Sequence, residues 1–431
     1  MNMMIQILKP NEIKPFLEKL ASRSADASED VRQTVAKILA TVRKAGDRAL
    51  VEYTKQLDGV DLGASGFSIP MSEMADATNT VSSRMMQIIE EAAENIRSFH
   101  EKGLQQSWLS WEEDGIVLGR KVTPMERVGL YVPGGRAVYP SSLLMTAIPA
   151  QVAGVKELVV VSPPDKQGRV HPSILAVIAS LGISEVYKIG GAQAVGALAY
   201  GTKSIRKVDK IVGPGNLYVA EAKRQVFGVV DIDMIAGPSE VVILADGTAD
   251  PAYIAADLLA QAEHDPAASA VCVTVDGTVA RQVQAEVEKQ AAQLKRRSIL
   301  TESLKNWGGI LPAKDMNTAV ALVNLLAPEH LGLHVRDPWE TVKEIRHAGA
   351  IFLGHHTPET VGDYWAGPNH VLPTNRTARF ASPLGTHDFL KHSSLISYPK
   401  TALADNADAI MKFAELEGLD AHANAVRQRL S

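Results

Sequence analysis

From Arg127 onward the chain alternates short apolar runs with glycine-rich turns and helical stretches, and that alternation leaves few architectures open. VGLYV (128–132) runs into PGGRAVYPSS and then LLMTAIPAQVAG. ELVVV (157–161) precedes SILAVIASLG, and VYKI (186–189) precedes GGAQAVGALAYG. KIVGPGN (210–216) and DIDMIAGPSEVVILAD (231–246) continue the series. A second block holds AVCVTV, a long helix from about 278 to 294, and AGAIFLG (348–354). Apolar runs without polar alternation are strands covered on both faces. Strands separated by helices pair in parallel through crossovers. The pattern therefore predicts an α/β layer fold with parallel strands, whose ligand sites lie at carboxyl ends of strands. The first 120 residues read instead as helices, through VRQTVAKILATVRKAGDRALVEYTKQL and MMQIIEEAAENIRSFHEK, and the tail after about 385 returns to helix.

At about 150 residues per domain, 431 residues suggest roughly three units. Forty-four Lys and Arg against 49 Asp and Glu leave a net charge of −5, which gives no concentrated basic face for nucleic acid. No apolar run approaches the roughly 18 residues of a membrane span. The N-terminus, MNMMIQILKPNEIKPF, reaches Lys and Pro too early for a secretory leader. The expectation is a soluble, cytoplasmic protein without a membrane or nucleic-acid partner. A single cysteine excludes intramolecular disulfides and thiolate-rich metal sites. Cys272, inside AVCVTV, reads as a small hydrophobe of a buried strand, which argues against a covalent thioester mechanism.

Three places could carry chemistry. The turns PGGR, GGAQ and GPGN each follow a strand and precede a helix, where glycines let backbone N–H groups approach a phosphate. No G-x-G-x-x-G fingerprint is present, and each turn taken singly is also ordinary turn geometry. The second place is a metal site, because ten of the twelve histidines lie between 264 and 422. In DPAYIAADLLAQAEHDP, Asp250 can cap a helix with Pro251 at its first position, and Ile254, Leu258 and Leu259 form the core stripe. Gln261 and His264 then share one face of the last turn, able to hold a metal or, for the histidine, to complement the helix dipole. Asp363 and His370 fall in a Gly/Pro-rich loop, TVGDYWAGPNHVLP, where metal binding and turn capping both remain open. The third place is Glu329-His330 in LAPEHLGLH. These residues suit a helix start after Pro328 and equally supply two proton acceptors in one place.

Several long strings resemble the histidinol dehydrogenase family: YVPGGRAVYPSSLLM, VDKIVGPGNLYVAEAKR, DMIAGPSEVVILAD, ADLLAQAEHDP, APEHL, GDYWAGPNHVLPT, ARFASPLG and LEGLDAHANAVRQRL. The resemblance implies oxidation of L-histidinol to L-histidine through L-histidinaldehyde, the last step of histidine biosynthesis. Two NAD+ and one zinc ion would serve each site of a homodimer that shares residues between subunits. It implies zinc on Gln261, His264, Asp363 and, from the other subunit, His422. These four, with His330, Ser239, His370 and Glu417, would surround the substrate. By the same resemblance His330 takes the hydroxyl proton, Glu329 activates water on the aldehyde, and Tyr131, Gln193 and Asn216 contact NAD+. It further implies two Rossmann-like parallel-sheet domains, one inserted in the other. These are 130–237 for NAD+, inserted within a main unit of 26–129 and 238–384, with helical segments at 1–25 and 385–431, the last dimerising. A relative oxidising a sulfonated diol is the alternative, disfavoured by the Glu417 carboxylate, which would repel a sulfonate. A zinc hydrolase or a non-enzymatic binding protein would leave the glycine turns or the Glu-His pair without purpose.

Overall fold

A computed structural model describes residues 4–23, 28–62, 66–134 and 139–431. Its strands are β1 (Trp108–Trp111), β2 (Val117–Pro124), β3 (Arg127–Tyr131), β4 (Glu157–Val161), β5 (Glu185–Tyr187), β6 (Lys210–Val212) and β7 (Asp231–Ile232). They continue as β8 (Glu240–Ala245), β9 (Ser269–Thr274), β10 (Gly308–Pro312), β11 (His330–His334), β12 (Ala350–Leu353) and β13 (Leu390–Ser397). Two five-stranded sheets form the body, in the orders β5-β4-β3-β6-β7 and β10-β9-β8-β11-β12, and every pairing within them is parallel. Both begin in the middle, add two strands on one side, then cross to the other. The two units therefore share one doubly wound topology, each with a switch point beside its first strand. This is the predicted α/β class. The central strands β3, β8, β9 and β11 are buried along their whole length, as their unbroken apolar runs require.

The strand-and-helix alternation from 127 to 353 is as the sequence predicts, but three segments differ. Helix Glu29–Ala45 does not lie on the sheet of 238–384. Its stripe Val35, Ile38, Leu39 and Val42 joins Val159, Val161, Val195 and Leu198 on one face of the first sheet. Met74, Ala77, Ala92 and Ile96, from helices Met71–Thr78 and Ser83–Glu101, cover the other face with Leu143, Ile174 and Ile178. The helices of 26–129 thus belong with the unit of 130–237, because the apolar face each presents is completed there. The N-terminal segment packs on the second sheet instead. Ile5 enters its core, and Leu8 N–H donates to the Ile310 carbonyl at 2.9 Å. The second difference is a hairpin, β1–β2, inside the stretch read as helical. The third is β13, which precedes the expected C-terminal helices Lys400–Leu416 and Asp420–Leu430 and pairs antiparallel with β2 over eight residues. This small sheet buries little, so neither strand shows the alternation of a half-buried one.

Candidate active site

At the carboxyl edge of the first sheet the chain turns sharply after β6. Gly213 has φ +113°, and a Cβ there would sit 2.2 Å from the Tyr131 carbonyl oxygen, so only glycine lets β3 and β6 end side by side. Buried Lys223 closes the turn by donating to the Gly213 carbonyl at 3.0 Å and pairing with Asp233, whose other oxygen accepts from Gly213 N–H at 2.8 Å. Asn216 caps helix Leu217–Val226 through Tyr218 and Val219 N–H. Gly191 opens helix Gly191–Tyr200 with φ +66° and donates its N–H to the Tyr131 hydroxyl at 3.0 Å; burial pushes that phenol up to about 12. Gln193, 1 % exposed, has both amide atoms buried without a partner. Tyr131, Gln193 and Asn216 therefore gather around the switch point between β3 and β6. The PGGR turn falls partly on 135–138, outside the described residues.

The second cluster sits at the opposite edge of its sheet. His330 opens strand β11, not a helix, with Glu329 just before it, and Ser239 directly precedes β8, so these groups crowd the amino ends of the central strands. The backbone of one residue holds the pair. Glu240 N–H donates to Glu329 Oε2 at 2.8 Å, and the Glu240 carbonyl accepts from His330 Nδ1 at 3.0 Å. With the Nδ1 proton so committed, His330 Nε2 carries the free lone pair; it is buried and has no partner. The ring lies beside Phe352, centroids 6.0 Å apart. Burial depresses the His330 imidazole to about 4 and lifts the Glu329 carboxyl well above the usual carboxylate range, an effect that the Glu240 N–H and the Arg23 charge oppose and the Glu240 and Asp363 carboxylates reinforce.

Helix Pro251–Ala262 runs back toward this edge. Asp250 caps it through Ala252 N–H at 2.8 Å, and Ile254, Leu258 and Leu259 enter the core as the stripe predicts. Gln261, in its last turn, is 1 % exposed with Oε1 buried and unpartnered. His264 follows on the exposed turn, its N–H donating to the Gln261 carbonyl, and lies near enough to weigh on the protonation of His330 and His370. Asp363 is not in a loop but in the short helix Glu359–Tyr364; burial raises its carboxyl to about 6. His370 Nδ1 meets the Asp363 carbonyl at 3.1 Å, and its Nε2 lies 3.3 Å from Ser142 Oγ on the helix that follows β3, linking the two units. His330, Phe352, Asp363 and His370 line one cavity of about 630 Å3 that reaches His100 and His387, within the range for a small-molecule site.

Glu417, at the turn after helix Lys400–Leu416, and His422, in the first turn of helix Asp420–Leu430, are elsewhere and exposed. Among the described residues no three His, Cys, Asp or Glu side chains are grouped to hold a metal ion. Cys272 is buried in β9, its thiol pushed up to about 12, and takes no part. Sequence reasoning missed Glu240 and Glu359. The first had a signal, a carboxylate opening the all-apolar strand EVVILA. The second, buried with Oε2 unpartnered beside Asp363 and Asp257, had none.

Comparison with known proteins agrees over the whole chain. The histidinol dehydrogenase family model matches residues 21–430. The histidinol dehydrogenase of Halalkalibacterium halodurans is 53% identical over 409 residues, 95% of this chain and 96% of that one. That of Bacillus subtilis is 53% identical over 408 residues, 94% of this chain and 95% of its own. The crystal structure of histidinol dehydrogenase from Elizabethkingia anophelis superposes with a TM-score of 0.94 at 37% identity, covering 100% of this chain and 99% of that one. With the fold, the turns and the buried Glu-His pair in place, the chain belongs to the histidinol dehydrogenase family and is an oxidoreductase.

Proposed function

We propose that the chain oxidises L-histidinol to L-histidine in two successive steps at one site, consuming two NAD+ and one water, as the closing reaction of histidine biosynthesis in the cytoplasm. The observation that carries this reading is the buried pair Glu329 and His330, both held by the backbone of Glu240, with an unpartnered Nε2 on His330, which lines the cavity. His330, neutral at pH 7, accepts the hydroxyl proton at Nε2 as hydride leaves the carbinol carbon for the first NAD+. Water then adds to the aldehyde carbon while Glu329 accepts its proton. The hydrate surrenders a hydride to the second NAD+ and a proton to the medium, leaving the acid. No thiol is needed, in keeping with an inert Cys272.

The residues fit a zinc ion. Gln261 Oε1 is buried without a partner, and with His264 and Asp363 it makes an oxygen and nitrogen donor set of the kind zinc accepts and manganese or cobalt tolerates. His422 of the partner subunit would complete the set. Bound there, zinc would hold the substrate's imidazole and amine and favour the ionised carboxyls. Ser239, His370 and Glu417 of the partner subunit would contact the rest of the substrate. Tyr131, Gln193 and Asn216 would take NAD+, a role supported by the unsatisfied Gln193 amide and the two clamped glycine turns.

A homodimer with shared sites is supported by what the C-terminal arm leaves uncovered. Phe413 and Leu416 are 66% and 81% exposed beside Glu417, and Trp111 and Ile396 of the small sheet are 70% and 72% exposed. The test is NADH formed per L-histidinol at completion, with and without a chelator. Two equivalents, lost on chelation and restored by zinc, are expected. One equivalent would limit the reaction to the aldehyde, and none from a folded, metal-loaded protein would overturn the reading in favour of another alcohol.

A further inference from the structure

The backbone of Glu240 holds both members of the candidate catalytic pair, so whatever fixes that residue bears on their geometry. Its side chain is buried, and Oε1 accepts from Arg23 at 2.6 Å and from Asn375 N–H at 3.3 Å. Arg23, at the end of helix Pro10–Ser22, is 8 % exposed, far along the chain from every site residue. Its guanidinium also donates to the Ala267 carbonyl at 2.7 Å and the Pro238 carbonyl at 3.3 Å. Pro238 precedes Ser239, and Ala267 follows His264 by three residues on the same turn. One planar cation thus ties two backbone segments, 238–240, which carries Ser239 and whose Glu240 backbone holds the Glu329–His330 pair, and the turn that carries His264. Five donors in a rigid fork suit this; a lysine ammonium on a flexible stem does not reach three acceptors so disposed.

We infer that Arg23 is a positioning residue for the oxidation, which through Glu240 and the 238 and 267 carbonyls holds Glu329 and His330 in register with the metal-side turn. The inference rests on the base roles given to that pair, and it assigns a purpose to the N-terminal helix. Charge acts in the same direction. Around Glu329 stand Glu240 on β8, Asp363 and Glu359 on the helix Glu359–Tyr364, and His330 beside it, with Arg23 the cation that favours its ionised form. A misplacement of order 1 Å at a reacting group costs on the order of a hundredfold in rate.

The test compares R23Q and R23K in the full-length, zinc-loaded protein with NAD+ and L-histidinol. R127Q serves as a control, because Arg127 is an equally buried arginine paired with Glu157 and Glu185 in the other unit. R23Q should lose kcat about 10- to 100-fold with both KM values within about twofold and zinc content unchanged. R23K, which keeps the charge and the fold, should recover part of the loss but stay about three- to tenfold below wild type. R127Q should lower stability and leave kcat in place. Wild-type kcat in both R23Q and R23K overturns the inference. So does a loss carried by KM or zinc content, or one that R127Q reproduces at equal folded fraction. Failure of the underlying reading shows differently: wild type would make no NADH from L-histidinol, or E329Q would match it.

Discussion

Replacing Glu329 by Gln separates the two oxidations. The amide keeps an oxygen where Glu329 Oε2 accepts from Glu240 N–H at 2.8 Å, so the local hydrogen bond survives. Burial already disfavours the charged carboxyl, so a neutral isostere should change unfolding free energy by less than about 1 kcal/mol. What is lost is the proton acceptor for water. A positioned general base contributes roughly 100- to 10,000-fold, about 3–5 kcal/mol of barrier. The second oxidation should slow by that factor, while the first, which uses His330 Nε2, should keep its rate within about threefold. Stopped-flow NADH formation reads both: L-histidinol should give one rapid equivalent followed by a slow second, and L-histidinaldehyde supplied directly should show only the slow phase. The sign of the pH effect follows from burial. The carboxyl titrates above the usual carboxylate range, so the wild-type second step should rise with pH through that raised pKa, and the rise should vanish in E329Q. Equal slowing of both steps in a folded variant, or a second step that keeps its pH limb, would refute the division of labour.

Gly213→Ala should cost at least about 3 kcal/mol in urea unfolding and raise the KM for NAD+ more than that for L-histidinol, since its Cβ would meet the Tyr131 carbonyl at 2.2 Å. His100 is 5 % exposed and its imidazole is depressed by burial from 6.5 to about 4, so between those values the unfolded chain binds the extra proton. Its contribution is intact above about pH 6.5 and falls away toward pH 4; from pH 7 to 5 wild type should lose about 1–2 kcal/mol more than His100→Gln, measured by the urea midpoint at both values. Mixed His264→Ala and His422→Ala subunits should recover part of the activity that each lacks alone, and verified heterodimers with none would refute sites shared between subunits.

The parts legible in the sequence are those whose burial leaves a period. β3, β8, β9 and β11 are covered on both faces and show as unbroken apolar runs. Asp250, Pro251 and the Ile254, Leu258, Leu259 stripe fix a helix from local rules alone. β1, β2 and β13 left no such trace, because their small sheet buries little and its longest pairing joins β2 to a strand far away in sequence. The helices of 26–129 were recognisable as amphipathic, but an apolar stripe does not say which of two similar sheets it will cover.

The site shows the same division more sharply. A doubly wound sheet directs attention to the carboxyl ends of its strands, and in the first unit Tyr131, Gln193 and Asn216 do gather there. In the second unit Ser239, Glu329 and His330 sit at the amino ends, where helix Pro251–Ala262, running against the strands, delivers Gln261. The helix that follows β3 reaches this edge through Ser142 and His370, so the ligand end of one sheet meets the opposite end of the other. No local pattern encodes that meeting. It depends on how two copies of one topology are set against each other, and on buried polar groups whose partners lie far away in sequence: Arg23 with Glu240, and the Glu240 backbone with Glu329 and His330. Buried charge is retained where something else requires it. Here the candidate requirement is positional, because Arg23 is bonded to the residue whose backbone N–H and carbonyl hold Glu329 and His330.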